Sequence, residues 1–355
     1  MFTKNVFIIA GGLIFGIVAS LLTQLGNPPN MGLCIACFYR DIAGAIGFHR
    51  ALVVQYLRPE IMGIVLGSFI TSIILREFKP RGGSSTIIRF LLGLFMMVGA
   101  LVFLGCPTRD IIRIAGGDLN AAIGLLGLIF GILVGLIFLK KGYNLGRSSK
   151  TSSLSGWVIP SIMIFLFLLA VIKPDFIFSS KSGPGAMYAP LIISILAGLL
   201  IGFIGQRSRM CFAGAWRDIF LVKDFYLFSG VFAFFAGVLV TNIVFDYFQS
   251  GFYHVGFENQ AIAHSSHIWN FAGMILVGLC ATLLGGCPFR QTILSGEGDS
   301  DAGVTVIGMI AGAGISHNFL LASSPKGVSK LGPISVILGI IFCLTVAFIM
   351  SRDNL

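Results

Sequence analysis

The chain has 355 residues, of which 56% are hydrophobic and 11% charged, and its mean hydropathy is +0.95. Soluble domains carry about a quarter charged residues, whereas a stretch of about 20 apolar residues crosses a bilayer as a helix. These values exclude a soluble enzyme, a secreted disulfide scaffold and, despite a net charge of +10, a nucleic-acid partner. The sequence therefore predicts an all-α membrane protein that crosses the lipid bilayer many times.

Ten apolar stretches, bounded by glycine, proline and charged residues, predict ten membrane-spanning helices. The first lacks a signal-peptide cleavage site and continues to Asn27-Pro28-Pro29, so we interpret it as a span. The predicted spans are 5–25, 59–77, 86–105, 119–140, 156–172, 187–206, 225–248, 268–286, 302–322 and 331–350.

Four intervals fit neither a span nor a simple loop, and each combines Arg, Asp and Cys with apolar residues. They are 30–48, 106–118, 207–222 and 287–301. Irregular backbone at membrane depth must be buried in protein or line a cavity. We therefore predict four short re-entrant half-helices at these intervals.

The half-helix intervals reveal an internal duplication. Residues 31–42 align without a gap on 208–219, at an offset of 177, so that Cys34 matches Cys211 and Arg40-Asp41 matches Arg217-Asp218. The segment from Gly105 to Arg109 aligns on the segment from Gly286 to Arg290, at an offset of 181. We divide the chain into a first repeat (1–140), a linker with a connecting span (141–186), a second repeat (187–322) and a C-terminal span (323–355).

The repeat has a topological consequence. Five predicted spans separate equivalent points of the copies, and this odd number inverts the second copy relative to the first. Proteins built in this way place their substrate site near the midplane, where broken helices of the two copies meet. Most Lys and Arg of the loops fall on the side of the N-terminus, so the positive-inside tendency places both termini in the cytoplasm.

The repeated Gly-Cys-Pro turns indicate an anion site. Proline is favoured at the first helical position, so Pro107 and Pro288 place the preceding cysteines at helix N-caps, where free N–H groups attract anions. Arg109 and Arg290 follow and add positive charge. The predicted pathway is lined by the four repeated cysteines, with the Gly-Cys-Pro pair nearest the midplane: Cys34, Cys106, Cys211 and Cys287.

The choice of cysteine limits the solute. A thiol is a weak hydrogen-bond donor and acceptor, so matched cysteines favour a soft sulfur- or selenium-bearing solute over an ordinary oxyanion. Cys280 and Cys343 occur singly within predicted spans, and we interpret them as packing residues. Cys37 forms a C-x-x-C with Cys34, but its counterpart is Gly214, which does not favour a duplicated redox pair.

The repeated charged residues admit two interpretations. The Arg40-Asp41 and Arg217-Asp218 pairs either stabilise the half-helices as internal ion pairs or contact the solute, since ionisable groups inside a membrane are costly and usually functional. Asp118 and Asp299 each follow a glycine and precede a span, which predicts N-caps. Asp246 lies near a span end, so no mid-span carboxylate marks a proton relay.

With its duplicated cysteine motifs, the chain resembles the YeeE/YedE family of bacterial inner-membrane proteins, which includes thiosulfate transporters. The resemblance implies that a reduced sulfur anion passes along pore cysteines through weak S–H hydrogen bonds. It falls on Cys106, Cys211 and Cys287, with Cys34 in the symmetric position. The segments 26–32, 34–41 and 81–85 resemble the YedE-type branch associated with selenium metabolism. Selenium compounds and thiosulfate are thus both candidate substrates, and a cytoplasmic sulfur- or selenium-carrier protein is an expected partner.

Two other functions stay open at this point. A membrane thiol oxidoreductase or sulfur-transfer protein would need a quinone or a close, activated cysteine pair. As an adjacent pair the sequence offers only Cys34 and Cys37. A general anion channel would depend on Arg109 and Arg290 rather than on thiols. No cofactor, metal ligand or catalytic residue is predicted.

Overall fold

The computed structural model describes residues 2–249 and 255–352, and in these residues almost all regular structure is α-helical. A two-stranded antiparallel ribbon pairs Arg81–Gly82 with Ser149–Lys150, and Pro184–Ala186 form a single 3-10 turn. The helices are α1 (Phe2–Gln24), α2 (Ile35–Ala45), α3 (Pro59–Ile74), α4 (Thr86–Phe103), α5 (Pro107–Ala115), α6 (Leu119–Lys140), α7 (Ser153–Ile172), α8 (Leu191–Ser208), α9 (Phe212–Val222), α10 (Tyr226–Gln249), α11 (His267–Leu283), α12 (Pro288–Gly296), α13 (Ser300–Asn318) and α14 (Gly332–Arg352). The predicted all-α fold is confirmed.

The helices fall into two length classes. Four have 9 or 11 residues, namely α2, α5, α9 and α12, and each lies within one of the predicted half-helix intervals. The others have between 16 and 24 residues. Eight stretches are long and apolar enough to cross a membrane, and three of them join a long helix to the short one that follows. The chain is a multi-pass membrane protein; α3 and α13 are not among the eight, so the count of ten spans stays a prediction.

The helix breaks follow from local sequence. Leu104 ends α4 with a φ of 64°, and Gly285 follows α11 with a φ of 77°. A left-handed residue is a common helix terminator, and in both cases the proline three residues later starts a new helix. The chain is therefore broken just before Cys106 and Cys287, as predicted.

Helix packing repeats between the copies, with α1–α6 equivalent to α8–α13. The four largest contacts are, in descending order, those of α6 with α11, α3 with α8, α1 with α10 and α4 with α13. When the copies are exchanged, the α6–α11 contact becomes the α13–α4 contact, and the α3–α8 contact becomes the α10–α1 contact. A two-fold relation between the copies predicts this exchange.

Close glycine contacts show the same exchange at the level of single residues. A Cβ atom on Gly127 of α6 would lie 2.2 Å from the carbonyl oxygen of Phe271, and one on Gly308 of α13 would lie 2.2 Å from that of Phe90. The same close approach recurs one turn later, at Gly131 and Gly312. Glycine allows membrane helices to approach this closely. The inverted orientation of the copies stays a prediction.

Candidate functional site

All four repeated cysteines are helix N-caps, and each is at most 4% exposed. They are Cys34 on α2, Cys106 on α5, Cys211 on α9 and Cys287 on α12. Pro107 and Pro288 are the first residues of α5 and α12, as predicted. The thiols of Cys34 and Cys211 accept the backbone N–H three residues later, at 3.3 and 3.2 Å. The N-cap position therefore puts each thiol among the backbone donors that begin a helix.

The four thiols form two pairs, one in each copy. The Sγ atoms of Cys34 and Cys106 lie 3.8 Å apart, and those of Cys211 and Cys287 lie 3.6 Å apart. The backbone N–H of Cys287 also donates to Cys211 Sγ at 3.4 Å. Each pair thus joins the N-termini of two short helices, where the partial positive charges of both helix dipoles converge.

The close pairs add contacts that the sequence did not reveal. The sequence offered only Cys34 and Cys37 as a close pair, and it treated Cys280 and Cys343 as isolated packing residues. In the structure Cys280 of α11 and Cys343 of α14 are buried with their Sγ atoms 3.4 Å apart. Packing of helices that are distant in sequence creates these pairs, and no local spacing reveals it. All seven cysteines are free thiols.

Three buried aromatic rings pack together, and two of them are close in sequence to the thiol pair of the second copy. Phe212 follows Cys211 directly, and Phe289 lies two residues after Cys287, with ring centroids 5.9 Å apart. Phe15 contacts both rings, at 6.0 and 5.2 Å, and all three side chains are at most 1% exposed. The thiols therefore meet a water-poor environment, in which weak polar contacts are stronger than they are in water.

Arg109 is engaged in local contacts rather than free. Its Nε donates to the carbonyl oxygen of Asn30 at 2.8 Å and its Nη2 to that of Ile262 at 2.9 Å. Its Nη1 donates to Cys37 Sγ at 3.4 Å. The side chain is fully buried. Arg109 thus fixes the first-copy half-helix to two neighbouring segments.

Arg290, its counterpart, is placed differently. It is half-buried, and its Nη1 has no hydrogen-bond partner among the described residues. Glu297, Arg209 and Cys211 lie close enough to act on its charge. Of the two matched arginines, Arg290 is therefore the one with an unpartnered N–H group among the described residues, and a role of either in attracting an anion stays a prediction.

This difference gives a matched test in an anion-flux assay. Arg290→Gln is expected to weaken flux more at low than at high ionic strength, because charges are screened over roughly 8–10 Å at physiological salt. Arg109→Gln, which removes three structural hydrogen bonds, is expected to lower flux equally at all salt concentrations. Salt-independent losses in both variants would contradict an electrostatic role for Arg290.

The two Arg-Asp motifs form ion pairs. Arg40 and Asp41 lie 2.7 Å apart and are buried, and Arg58 binds the second carboxylate oxygen of Asp41 at 2.8 Å. Arg217 and Asp218 lie 2.8 Å apart with side chains 27% and 18% exposed. The predicted pairs are thus formed, and solute contact by Arg40 and Arg217 stays a prediction. The sequence did not single out Arg58, since it lies in a loop outside both motifs.

A polar network, also missed by the sequence interpretation, surrounds the start of α9. Arg209 pairs with Glu297 and, at 3.1 Å, with Glu77, while Arg81 pairs with Asp299 at 2.7 Å. A pocket of about 950 Å³ opens beside it and is lined by Glu77, Arg209 and residues of α1 and α10. Network and pocket lie within a few residues of Cys211. We refer to this network and pocket together as the polar mouth.

The second copy is similar to a known family. Residues 207–351, which include the Cys211–Cys287 pair, match the family model for sulphur transport. This part of the chain, which is less than half of its length, is therefore similar to the sulphur transport family. The match confirms the predicted resemblance to the YeeE/YedE family, a family of transport proteins and not of enzymes.

Two curated relatives agree with the family match. A segment of 105 residues is 34% identical to the thiosulfate transporter TsuA of Spirochaeta thermophila, covering 29% of this chain and 29% of that protein. A segment of 113 residues is 29% identical to the thiosulfate transporter TsuA of Escherichia coli, covering 32% of this chain and 30% of that protein. The matched segments span less than a third of either relative.

Proposed function

We propose that this protein transports a small anion with a reduced sulfur or selenium atom, with thiosulfate or a selenium compound as substrate. The observation that carries the proposal is the arrangement of four buried thiols in two pairs, 3.8 and 3.6 Å apart, at converging helix N-termini. The relatives named thiosulfate transporters support this substrate class.

Thiosulfate combines a soft sulfur atom with charged oxygens, and each part has a matching group in the site. The charged oxygens suit helix N-termini and the unpartnered Nη1 of Arg290. The soft sulfur suits the weakly donating S–H groups of Cys34, Cys106, Cys211 and Cys287. Conduction requires binding at each step to be weak enough for release. Thiols satisfy this requirement better than hydroxyl groups.

Uptake is the direction that we propose. In this arrangement the protein lies in a bacterial inner membrane with both termini in the cytoplasm, and the two copies are inverted around the pathway. The polar mouth at Arg209 and Glu77 then faces the cytoplasm, where a sulfur- or selenium-carrier protein would receive the product.

Competition between labelled solutes tests the substrate class. In intact cells that express the protein, unlabelled thiosulfate or selenite is expected to displace labelled thiosulfate at concentrations at least about tenfold lower than sulfate does, a difference of about 1.4 kcal/mol in binding. Equal competition by sulfate would instead indicate an anion channel without preference for a soft atom.

The thiol spacing also favours a second candidate, a membrane thiol oxidoreductase or sulfur-transfer protein. A pair 3.6–3.8 Å apart can close to a disulfide by losing two protons and two electrons to an acceptor, or it can hold a persulfide. Intact-protein mass spectrometry after substrate exposure distinguishes the candidates. Transport predicts an unchanged mass, whereas the second candidate predicts loss of two hydrogens or gain of a sulfur atom.

A further inference from the structure

Asp110 is a fully buried carboxyl group without a hydrogen-bond partner. It lies on α5, with 0% exposure, and its backbone N–H donates to the carbonyl oxygen of Cys106 at 2.9 Å. Neither carboxyl oxygen has a partner among the described residues. The expectation that no mid-span carboxylate marks a proton relay stays a prediction, since Asp110 lies outside the predicted spans. That expectation considered only long spans, and Asp110 lies on a short helix between them.

Among the groups that act on Asp110, Arg113 is the one of opposite charge. From α5 and the start of α6, Cys106, Arg113 and Asp118 are the titratable groups that act on it, and no charged group of α9 or α10 does so among the described side chains. Arg113 donates through Nε to Asp118 at 2.7 Å and through Nη1 to the carbonyl oxygen of Phe103 at 3.0 Å. Its buried Nη2 has no partner.

The second copy shows that the fold does not need a carboxyl group at this position. The duplication aligns Asp110 with Gln291 and Arg113 with Leu294. Gln291 donates through Nε2 to the carbonyl oxygen of Leu284 at 3.2 Å. An amide thus occupies the equivalent place on α12, and the acid and its neighbouring guanidinium occur in only one copy.

We propose that Asp110 is a proton-binding site that couples anion transport to the proton gradient. The inference rests on the proposed function. Entry into a cell against an inside-negative potential of 100 mV lowers the equilibrium accumulation of an anion roughly 50-fold for each charge. A proton that enters on Asp110 with the anion offsets one of these charges.

The local geometry provides two states for the group. Burial of an ionised carboxylate without partners costs free energy. Proton uptake removes this cost because it converts the carboxylate to a neutral carboxyl group. Release of the proton inside restores the carboxylate. The unpartnered Nη2 of Arg113, three residues later on the same helix, can then donate a hydrogen bond to this carboxylate. One proton binds and one is released per cycle, within one turn of the Cys34–Cys106 pair.

Purified protein in sealed liposomes tests the coupling, with the membrane potential held at zero by potassium and an ionophore. With thiosulfate as the probe and the outside one pH unit more acidic, accumulation by the unmodified protein is expected to rise about tenfold per coupled proton. Asp110→Asn should accumulate thiosulfate only to equilibrium and show no pH response, yet still exchange labelled for unlabelled thiosulfate. A dye inside the liposomes should report acidification by the unmodified protein alone.

Glu60→Gln is the matched control. Glu60 is a buried carboxylate on α3 whose Oε1 accepts hydrogen bonds from Asn27 at 2.9 Å and Ser194 at 3.1 Å. Only its Oε2 has no partner among the described residues, whereas both oxygens of Asp110 have none. This variant should keep the tenfold response. Coupled uptake by Asp110→Asn would overturn the inference, as would loss of coupling in Glu60→Gln alone.

The remaining outcomes are also decisive. Uptake by the unmodified protein without any pH response would overturn the inference and leave the proposed function standing, whereas no uptake under any gradient would overturn the proposed function. Asp110→Gln, which copies the second repeat, guards against misfolding of the Asn variant. If neither variant assembles, the carboxyl group is structural and the inference is wrong.

Discussion

Serine in place of Cys106 or Cys287 is expected to lower thiosulfate uptake at least about tenfold with little effect on folding. Serine keeps the size of cysteine, yet its hydroxyl group is a stronger hydrogen-bond donor and acceptor. A hydrogen bond to a charged group contributes about 1.5–3 kcal/mol, and 1.4 kcal/mol slows release tenfold. Uptake of labelled thiosulfate at matched protein levels measures the effect.

The thiol pairs add a prediction about coupling. Because Cys34 and Cys106 are in contact, as are Cys211 and Cys287, substitutions within one pair should not be additive. The double variant with Cys34→Ser and Cys106→Ser should show a smaller fold-loss of uptake than the product of the fold-losses of the two single variants. Substitutions taken from different pairs should be closer to independent. Double-mutant cycles on uptake rates measure both cases.

The third cysteine pair supplies the control. Cys280 and Cys343 are equally buried and equally close, with Sγ atoms 3.4 Å apart, but neither caps a helix. Serine at either position should leave uptake within about twofold, since a single buried hydrogen bond changes stability by only about 1 kcal/mol. Full activity in both Gly-Cys-Pro serine variants would remove the chemical reason for the cysteines and leave the anion channel as the better explanation.

Local sequence predicted the breaks that create the site. A glycine, a cysteine and a proline in succession carry enough conformational information to end one helix and begin another, and the structure has an N-cap cysteine at Cys106 and at Cys287. Asp118 and Asp299 cap α6 and α13 for the same local reason. The duplication extended these assignments from one copy to the other.

Tertiary contacts decide what the sequence could not reveal. Arg109 and Arg290 occupy matching positions, yet carbonyl oxygens of distant segments engage only the first of them. The link between Tyr39 and Thr292, 3.0 Å apart, likewise joins the two copies across 253 residues. Equivalent sequence therefore does not imply equivalent chemistry, because the neighbours of each copy differ.

The two Arg-Asp motifs also differ in their neighbours, and we expect very different losses of stability when their aspartates are replaced. Asp41→Asn leaves Arg40 and Arg58 buried without an opposite charge, since Asp41 accepts from both. Removal of one partner from a buried ion pair costs about 3–5 kcal/mol. Asp218→Asn breaks a partly exposed pair, for which about 0–1 kcal/mol is expected.

Unfolding of the purified variants in detergent measures these losses. Asp41→Asn should unfold at a clearly lower temperature, and because the guanidinium of Arg58 also donates to the carbonyl oxygens of Pro184 and Met187, the loosened region should include residues 184–187. Protease cleavage in this region should then become faster in Asp41→Asn but not in Asp218→Asn. Uptake by Asp41→Asn should also fall, because α2 carries Cys34 at its N-terminus. Equal stability of the two variants would show that burial does not distinguish the pairs.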